Sequence, residues 1–131
     1  MATVAALDAD VLIAFLDGAD AQHQSAVAEL SRRLTAGESL LVGASVYAEV
    51  MVRPQQTSAG DLVDEFLAAA GVRVVDVDRA IARSAAGLRA RHRSLRLGDA
   101  LSLATALAHG AELVTFDRRL RRITATERNR S

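Results

Sequence analysis

The sequence predicts an α/β fold: a parallel central sheet with helices packed on both of its faces. Three observations carry this. Short apolar runs alternate along the chain with longer stretches whose apolar residues recur at helical spacing. The short runs lack polar alternation, as strands buried on both faces do. Half of the 131 residues are hydrophobic but only 3% are aromatic, so the core must be aliphatic and closely interlocked.

Thr3 to Leu7 (TVAAL) reads as a buried strand ending at Asp8. Asp10 is placed to cap a short helix from Val11 to Leu16. Gln22 to Thr35 has Ala26, Val27, Leu30 and Leu34 on one helical face. Ser39 to Val42 (SLLV) is a second strand, and Gly43 and Ser45 open a helix carrying Tyr47, Val50 and Met51. Pro54, the only proline, marks a break or turn after it. Ser58 with Asp61 forms a start signal for a helix whose core face is Leu62, Val63, Phe66 and Leu67, and which Gly71 ends. Val72 to Val75 is a third strand. Asp78 caps a helix with Ile81, Ala85 and Leu88 on one face. Leu97 to Ala108 is a helix apolar enough to be nearly fully buried, stopped by Gly110. Glu112 to Thr115 (ELVT) is a fourth strand, followed by Asp117 and a basic turn of helix. The expected sheet has about four or five short strands.

The length suits one domain over residues 1–131. The absence of Cys excludes disulfides, thiolate zinc sites and Cys nucleophiles. Asp8 and Asp10 interrupt the only apolar stretch near the N-terminus, so no signal peptide is expected. No run reaches the length of a membrane span. The expectation is a cytoplasmic protein that does not engage a membrane.

A net charge of zero hides an asymmetry. Residues 1–72 carry ten Asp/Glu and three Arg, a net of −7; residues 73–131 carry six and thirteen, a net of +7. Every strong cation is Arg, whose planar fork of donors suits phosphate, although a coding bias toward Arg accounts for most of the missing Lys.

Four acids stand where such a sheet binds ligands, beyond the carboxyl ends of its strands. Asp8 ends the first strand. Glu49 lies one turn into the helix after the second. Asp117 follows the fourth by two residues, and Asp99 opens the buried Ala-rich helix. Phosphodiester hydrolysis needs an activated water and neutralisation of phosphate charge. Mg2+ or Mn2+ does both and prefers carboxylate oxygens. Any one of these acids alone reads equally well as a solvated charge or a helix cap; Asp10, Asp61 and Asp78 read first as caps.

Together the motifs resemble the PIN-domain nucleases, in particular the VapC-type toxins of toxin–antitoxin pairs. LDADVLIAFL (Leu7 to Leu16) is similar to that family's opening strand, Asp and short helix. ASVYAEV (Ala44 to Val50), LGDALSLATAL (Leu97 to Leu107) and VTFD (Val114 to Asp117) resemble its later motifs, in order along nearly the whole chain. The resemblance implies a PIN-like three-layer fold and an RNA-cleaving hydrolase using Mg2+ or Mn2+. It implies Asp8 and Asp99 as the nearest metal ligands. Glu49 and Asp117 would bind a second ion or hold water, with Ser45 and Thr115 as hydrogen-bonding supports. It also implies a cognate antitoxin and a homodimer. Asp10 departs from the pattern, since the family more often has Asn, Ser or Thr there; it is either a cap or a further ligand.

Arg91, Arg93 and Arg96 precede Asp99, and Arg118, Arg119, Arg121 and Arg122 follow Asp117. Arg91, Arg93, Arg96 and Arg118 are the candidates for RNA phosphates; singly, each reads as a solvated charge. His23, His92 and His109 lack zinc spacing, and neither Ser45 nor Ser102 has a His partner to make it a nucleophile. Two other readings stand beside the nuclease. One is a haloacid-dehalogenase-like phosphatase using Asp8 and Asp10, against which count the following Val11-Leu12 and the missing Lys. The other is a non-catalytic PIN-like module that binds RNA or a partner.

Overall fold

A computed structural model of the protein describes residues 3–130. In chain order these form β1 (Val4–Leu7), α1 (Ala9–Leu16), α2 (His23–Thr35), β2 (Ser39–Gly43), α3 (Ala44–Gln56), α4 (Gly60–Ala69), β3 (Arg73–Val75), α5 (Arg79–Arg91), α6 (Leu97–Ala108), β4 (Glu112–Val114) and α7 (Arg118–Arg130). The four strands pair in the order β3-β2-β1-β4, all parallel, with Ala6 opposite both Leu41 and Leu113. The sheet therefore has the lower of the two expected strand numbers among the described residues.

The side-chain period of two divides each strand between two cores. Ala5, Leu7, Leu40, Val42 and Val114 face a cluster containing Val11 and Leu12 of α1, Leu30 of α2, Val46 and Val50 of α3, and Val63 and Leu67 of α4. Ala6, Leu41 and Leu113 face the other, built from Ile81, Ala85 and Leu88 of α5, Leu103 and Ala104 of α6, and Leu120 and Ile123 of α7. From β1 to β3 the chain steps one way across the sheet. It then crosses back to the far side of β1. With crossovers of one hand, that reversal puts the later helices on the opposite face. Reversal beside β1 also opens a crevice at the carboxyl ends of β1 and β4.

Several local expectations change. Helix α1 begins at Ala9, so Asp10 lies inside its first turn and is not its cap. Pro54 sits inside α3, which runs two residues further; the break follows at Thr57. Ser58 adopts a left-handed φ of 56° and Ala59 is the N-cap of α4, so the Ser58–Asp61 start signal is not used. Leu34 and Leu62 are exposed, at 42% and 67%, because the faces of α2 and α4 that meet the sheet are narrower than their apolar stripes. The basic turn after Asp117 is a full helix of 13 residues that buries Leu120, Ile123 and Glu127. Asp78 caps α5 as expected, accepting from the Ile81 N–H at 2.9 Å. Gly71 and Gly110, at φ +70° and +61°, follow the ends of α4 and α6, where a left-handed residue lets the next amide close the last turn.

Two ionic clusters tie the outer elements down. Arg33 of α2 is buried and bridges Glu29, Glu38 and Glu112 of the edge strand β4. Glu127 of α7 is buried against Arg91 at 2.7 Å and His92 at 2.7 Å, at the end of α5. The Arg91 hydrogen bonds hold the Glu127 carboxyl at about 2, well below the ordinary 4.5, against the opposing effect of burial. Its stabilisation is complete above pH 4.5 and fades as pH falls toward 2. Because Arg91 is partly exposed, the expected cost of Glu127→Gln at pH 7 is about 1–2 kcal/mol. Urea unfolding at pH 7 should show it, and the difference from the parent protein should shrink at pH 3.

Candidate active site

Asp8 caps the carboxyl end of β1 and is 6% exposed. Its backbone N–H donates to Val114 O at 2.9 Å, which locks β1 to β4 one residue beyond the strand. Its carboxylate is held on both sides by hydroxyls: Ser102 Oγ of α6 donates to Oδ1 at 2.9 Å, and Thr115 Oγ1 donates to Oδ2 at 2.8 Å. Neither donor is charged, and the Asp8 carboxylate has no ion-pair partner among the described residues.

The other acids gather around this anchor. Asp8, Asp10, Glu49, Asp99 and Asp117 line one cavity of about 380 Å3, with Arg96 and Arg119 as its cations. Asp8 and Asp10 come from the start of α1, and the others from α3, α6 and the segment before α7. Asp8 is the N-cap of α1 and Asp99 lies in the first turn of α6. Asp117 Oδ1 accepts from the Leu120 N–H at 3.1 Å and so caps α7. Glu49 is further along α3. The first turns of α1 and α6 have no side-chain cap, which leaves partial positive charge beside Asp8 and Asp99.

Crowding shows in the acidities. Burial, then the charges of Asp8 and Asp99, raises the Glu49 pKa. Burial, then Asp8 and Asp117, raises that of Asp99, while Arg96 and Arg119 oppose the shift. Asp10 is raised by burial and by Asp8, although the Phe116 N–H donates to its Oδ2 at 3.0 Å. Asp10 thus fastens α1 to the segment after β4. Thr115 is the hinge of that segment: besides Asp8 it reaches Asp10 at 3.3 Å and accepts from the Asp117 N–H at 3.1 Å.

Glu49 is exposed as a residue, yet its carboxyl lies against α6 where Gly98 leaves room. A Cβ at Gly98 would stand 2.7 Å from Glu49 Oε1. Gly98 therefore permits the approach of α3's acid to the acid of α6. Ser45, one turn before Glu49 on α3, has a buried hydroxyl with no hydrogen-bond partner among the described residues.

Of the residues singled out in the sequence, the structure brings the four acids, Asp10, Thr115 and Arg96 together. Arg93 and Arg118 are exposed outside the cavity lining. Arg91 is spent on Glu127 and does not line the cavity. Ser102, Gly98 and Arg119 belong to the site and were not legible in these roles. The spacing of Ser102, one turn after Asp99 on an otherwise apolar face, was the available signal. A larger groove of about 580 Å3 adjoins the cavity and shares Ile13 and Glu49, but its lining is mainly apolar and the carboxylates gather in the smaller one.

Carboxylates that raise one another's pKa values are relieved by a cation, and an all-oxygen donor set suits Mg2+ or Mn2+. The donor chemistry fits such an ion. Among the described residues no three His, Cys, Asp or Glu groups stand at the spacing of a closed ligand set.

A model of the PIN domain matches residues 5–125. No curated protein matched the chain in a sequence comparison. Among solved structures, a toxin–antitoxin complex from Klebsiella pneumoniae is similar at 25% identity and TM-score 0.70, over 86% of each chain. The Mycobacterium tuberculosis toxin VapC20, which cleaves the sarcin–ricin loop, matches with TM-score 0.70 at 21% identity, over 90% of this chain and 92% of that one. VapBC2 from Rickettsia felis, bound to a fragment of its promoter DNA, matches with TM-score 0.70 at 16% identity, over 92% and 93%. The last two show the fold alone. With the family model spanning nearly every element of the sheet and its helices, this chain belongs to the PIN-domain family.

Proposed function

We propose that this protein is a ribonuclease dependent on Mg2+ or Mn2+, and the toxin of a toxin–antitoxin pair. The observation that carries the reading is the convergence of five carboxylates on one cavity around an Asp8 held by two hydroxyls. The likeness to the Klebsiella toxin–antitoxin complex supports the partner, and the fold is shared with a toxin that cleaves the sarcin–ricin loop. A cognate antitoxin that blocks the cavity, a homodimer and a cytoplasmic location complete the proposal. No helix among the described residues is long and apolar enough to cross a membrane.

A bound Mg2+ or Mn2+ would neutralise charge on the phosphate and make water a stronger nucleophile. Asp8 and Asp99 would hold it. Ser102 and Thr115 fix the Asp8 carboxylate so that both of its oxygens keep their direction. Glu49 and Asp117 complete the anionic wall and accept hydrogen bonds from water. Asp10 holds the β4–α7 segment through Phe116 and Thr115, which keeps Asp117 in place.

Purified protein should cut total cellular RNA with Mg2+ or Mn2+ and not with EDTA. Asp99→Asn should lower the rate at least 100-fold. Relief of like-charge repulsion should also raise its Tm in EDTA by about 2–4 °C. Retained activity in Asp99→Asn would remove the carboxylates from the chemistry.

Gly98→Ala should lower the rate about tenfold, because its Cβ displaces the Glu49 carboxyl. Its Tm should hold or rise, since Ala favours a helix over Gly by up to about 1 kcal/mol. Circular dichroism with a cleavage assay separates the two effects.

The raised pKa values of Glu49 and Asp99 set a pH dependence. Protons compete with the metal at a higher pH than at ordinary carboxylates. The metal-free fold, in turn, gains from protonating these groups as pH falls through the raised values. Calorimetric titration with Mn2+ at falling pH should show affinity already weakening above the usual carboxylate range.

A further inference from the structure

Arg96 and Arg119 are cations placed in an acidic cavity without being used up by it. Both line the cavity that holds Asp8, Asp99 and Asp117. Yet among the described residues neither forms an ion pair within 4 Å with any carboxylate. Several arginines elsewhere in the fold are already engaged. Arg32 and Arg33 are paired with Glu29, and Arg91 with Glu127. Arg121 turns away, donating from Nε to Thr115 O at 2.8 Å on the side of the edge strand.

Arg119 is also held in place. Its Nη2 donates to Ser94 O at 2.9 Å, in the loop between α5 and α6. Its other donors make no hydrogen bond among the described residues. Arg96 is the N-cap of α6, three residues before Asp99, and its side chain caps nothing. The two guanidinium groups thus flank the α6 and α7 side of the cavity, while Glu49 and the apolar groove lie on the α3 side. A guanidinium with open donors, kept beyond contact with nearby carboxylates, fits a tetrahedral oxyanion that arrives with the ligand.

We propose that Arg96 and Arg119 form a clamp for one backbone phosphate of the RNA, beside the carboxylates. This deepens the ribonuclease reading and rests on it for the identity of the polyanion. It gives the bound strand a fixed side of approach, with phosphate toward α6 and α7. It also assigns the role to Arg119 in place of Arg91, which belongs to the α5–α7 ion cluster.

The test is equilibrium binding of a fluorescein-labelled single-stranded RNA, by anisotropy in EDTA, over a range of salt. Arg119→Gln, Arg96→Gln and Arg73→Gln are compared with the parent protein, Arg73 lying on β3 at the far sheet edge. Arg119→Gln and Arg96→Gln should each weaken binding about tenfold. The slope of log K against log salt should become shallower by about 0.7 if one phosphate contact is lost. Arg73→Gln should change neither. Because the Arg96 side chain makes no hydrogen bond among the described residues, its variant answers even if Arg119→Gln loosens the Ser94 loop. Parent affinity and slope in both clamp variants, or no RNA binding at any salt, overturns the clamp. Cleavage with Mg2+ is read separately. Protein that cleaves while both variants bind normally keeps the nuclease reading and loses the clamp. Protein that binds through the clamp and never cleaves does the reverse.

Discussion

The site depends on how one carboxylate is held. Asp8 ends a strand with paired neighbours on both sides, and its side chain is buried at the point where the chain reverses direction across the sheet. A buried charge is costly unless it is fully hydrogen-bonded. Here a hydroxyl from α6 and one from the segment after β4 meet the two oxygens. These donors lie on α6, in the crossover that returns to β4, and just past β4 itself. The bonds that satisfy Asp8 therefore fix the relative positions of β1, β4 and α6, and with them the place of Asp99 and Asp117.

The rest of the charge distribution follows a division between spent and open groups. On the outside of the fold, Arg33 and Glu127 each collect several opposite charges and hold α2, β4, α5 and α7 together. In the cavity the acids form no ion pairs among the described residues, burial and neighbouring charge raise the pKa values of Glu49 and Asp99, and two arginines share the space without pairing with them. Such an arrangement is unfavourable for the empty fold. It is maintained by burial of the aliphatic cores on both faces of the sheet, and it favours ligands that bring both a cation and an anion.

The four acids were legible because each follows an apolar strand or opens an apolar helix, so their placement needed only the order of the elements. Ser102 was not, because a hydroxyl inside a helix has no sequence signature that separates a ligand-holder from a filler. Gly98 was silent for a related reason: its meaning lies in the missing Cβ opposite Glu49, 49 positions away in the chain. The start signal at Ser58 and the cap at Asp10 misled because local capping rules compete with tertiary bonds. Asp10 found the Phe116 N–H, and Ser58 took a turn conformation.

By itself the sequence determined the class of fold, the alternation of strands and helices, and the four acids that the fold can bring to one edge. Hydrophobic period and strand ends are local properties, and they survive folding unchanged. Only the tertiary structure decided which arginines are spent and which stay open, since Arg91 and Arg96 look alike in the chain and differ only in whether Glu127 reaches them. It decided as well that Asp8 is held by two hydroxyls from distant segments. Pairing depends on distance in space, and nothing in a one-dimensional pattern of charges supplies that distance.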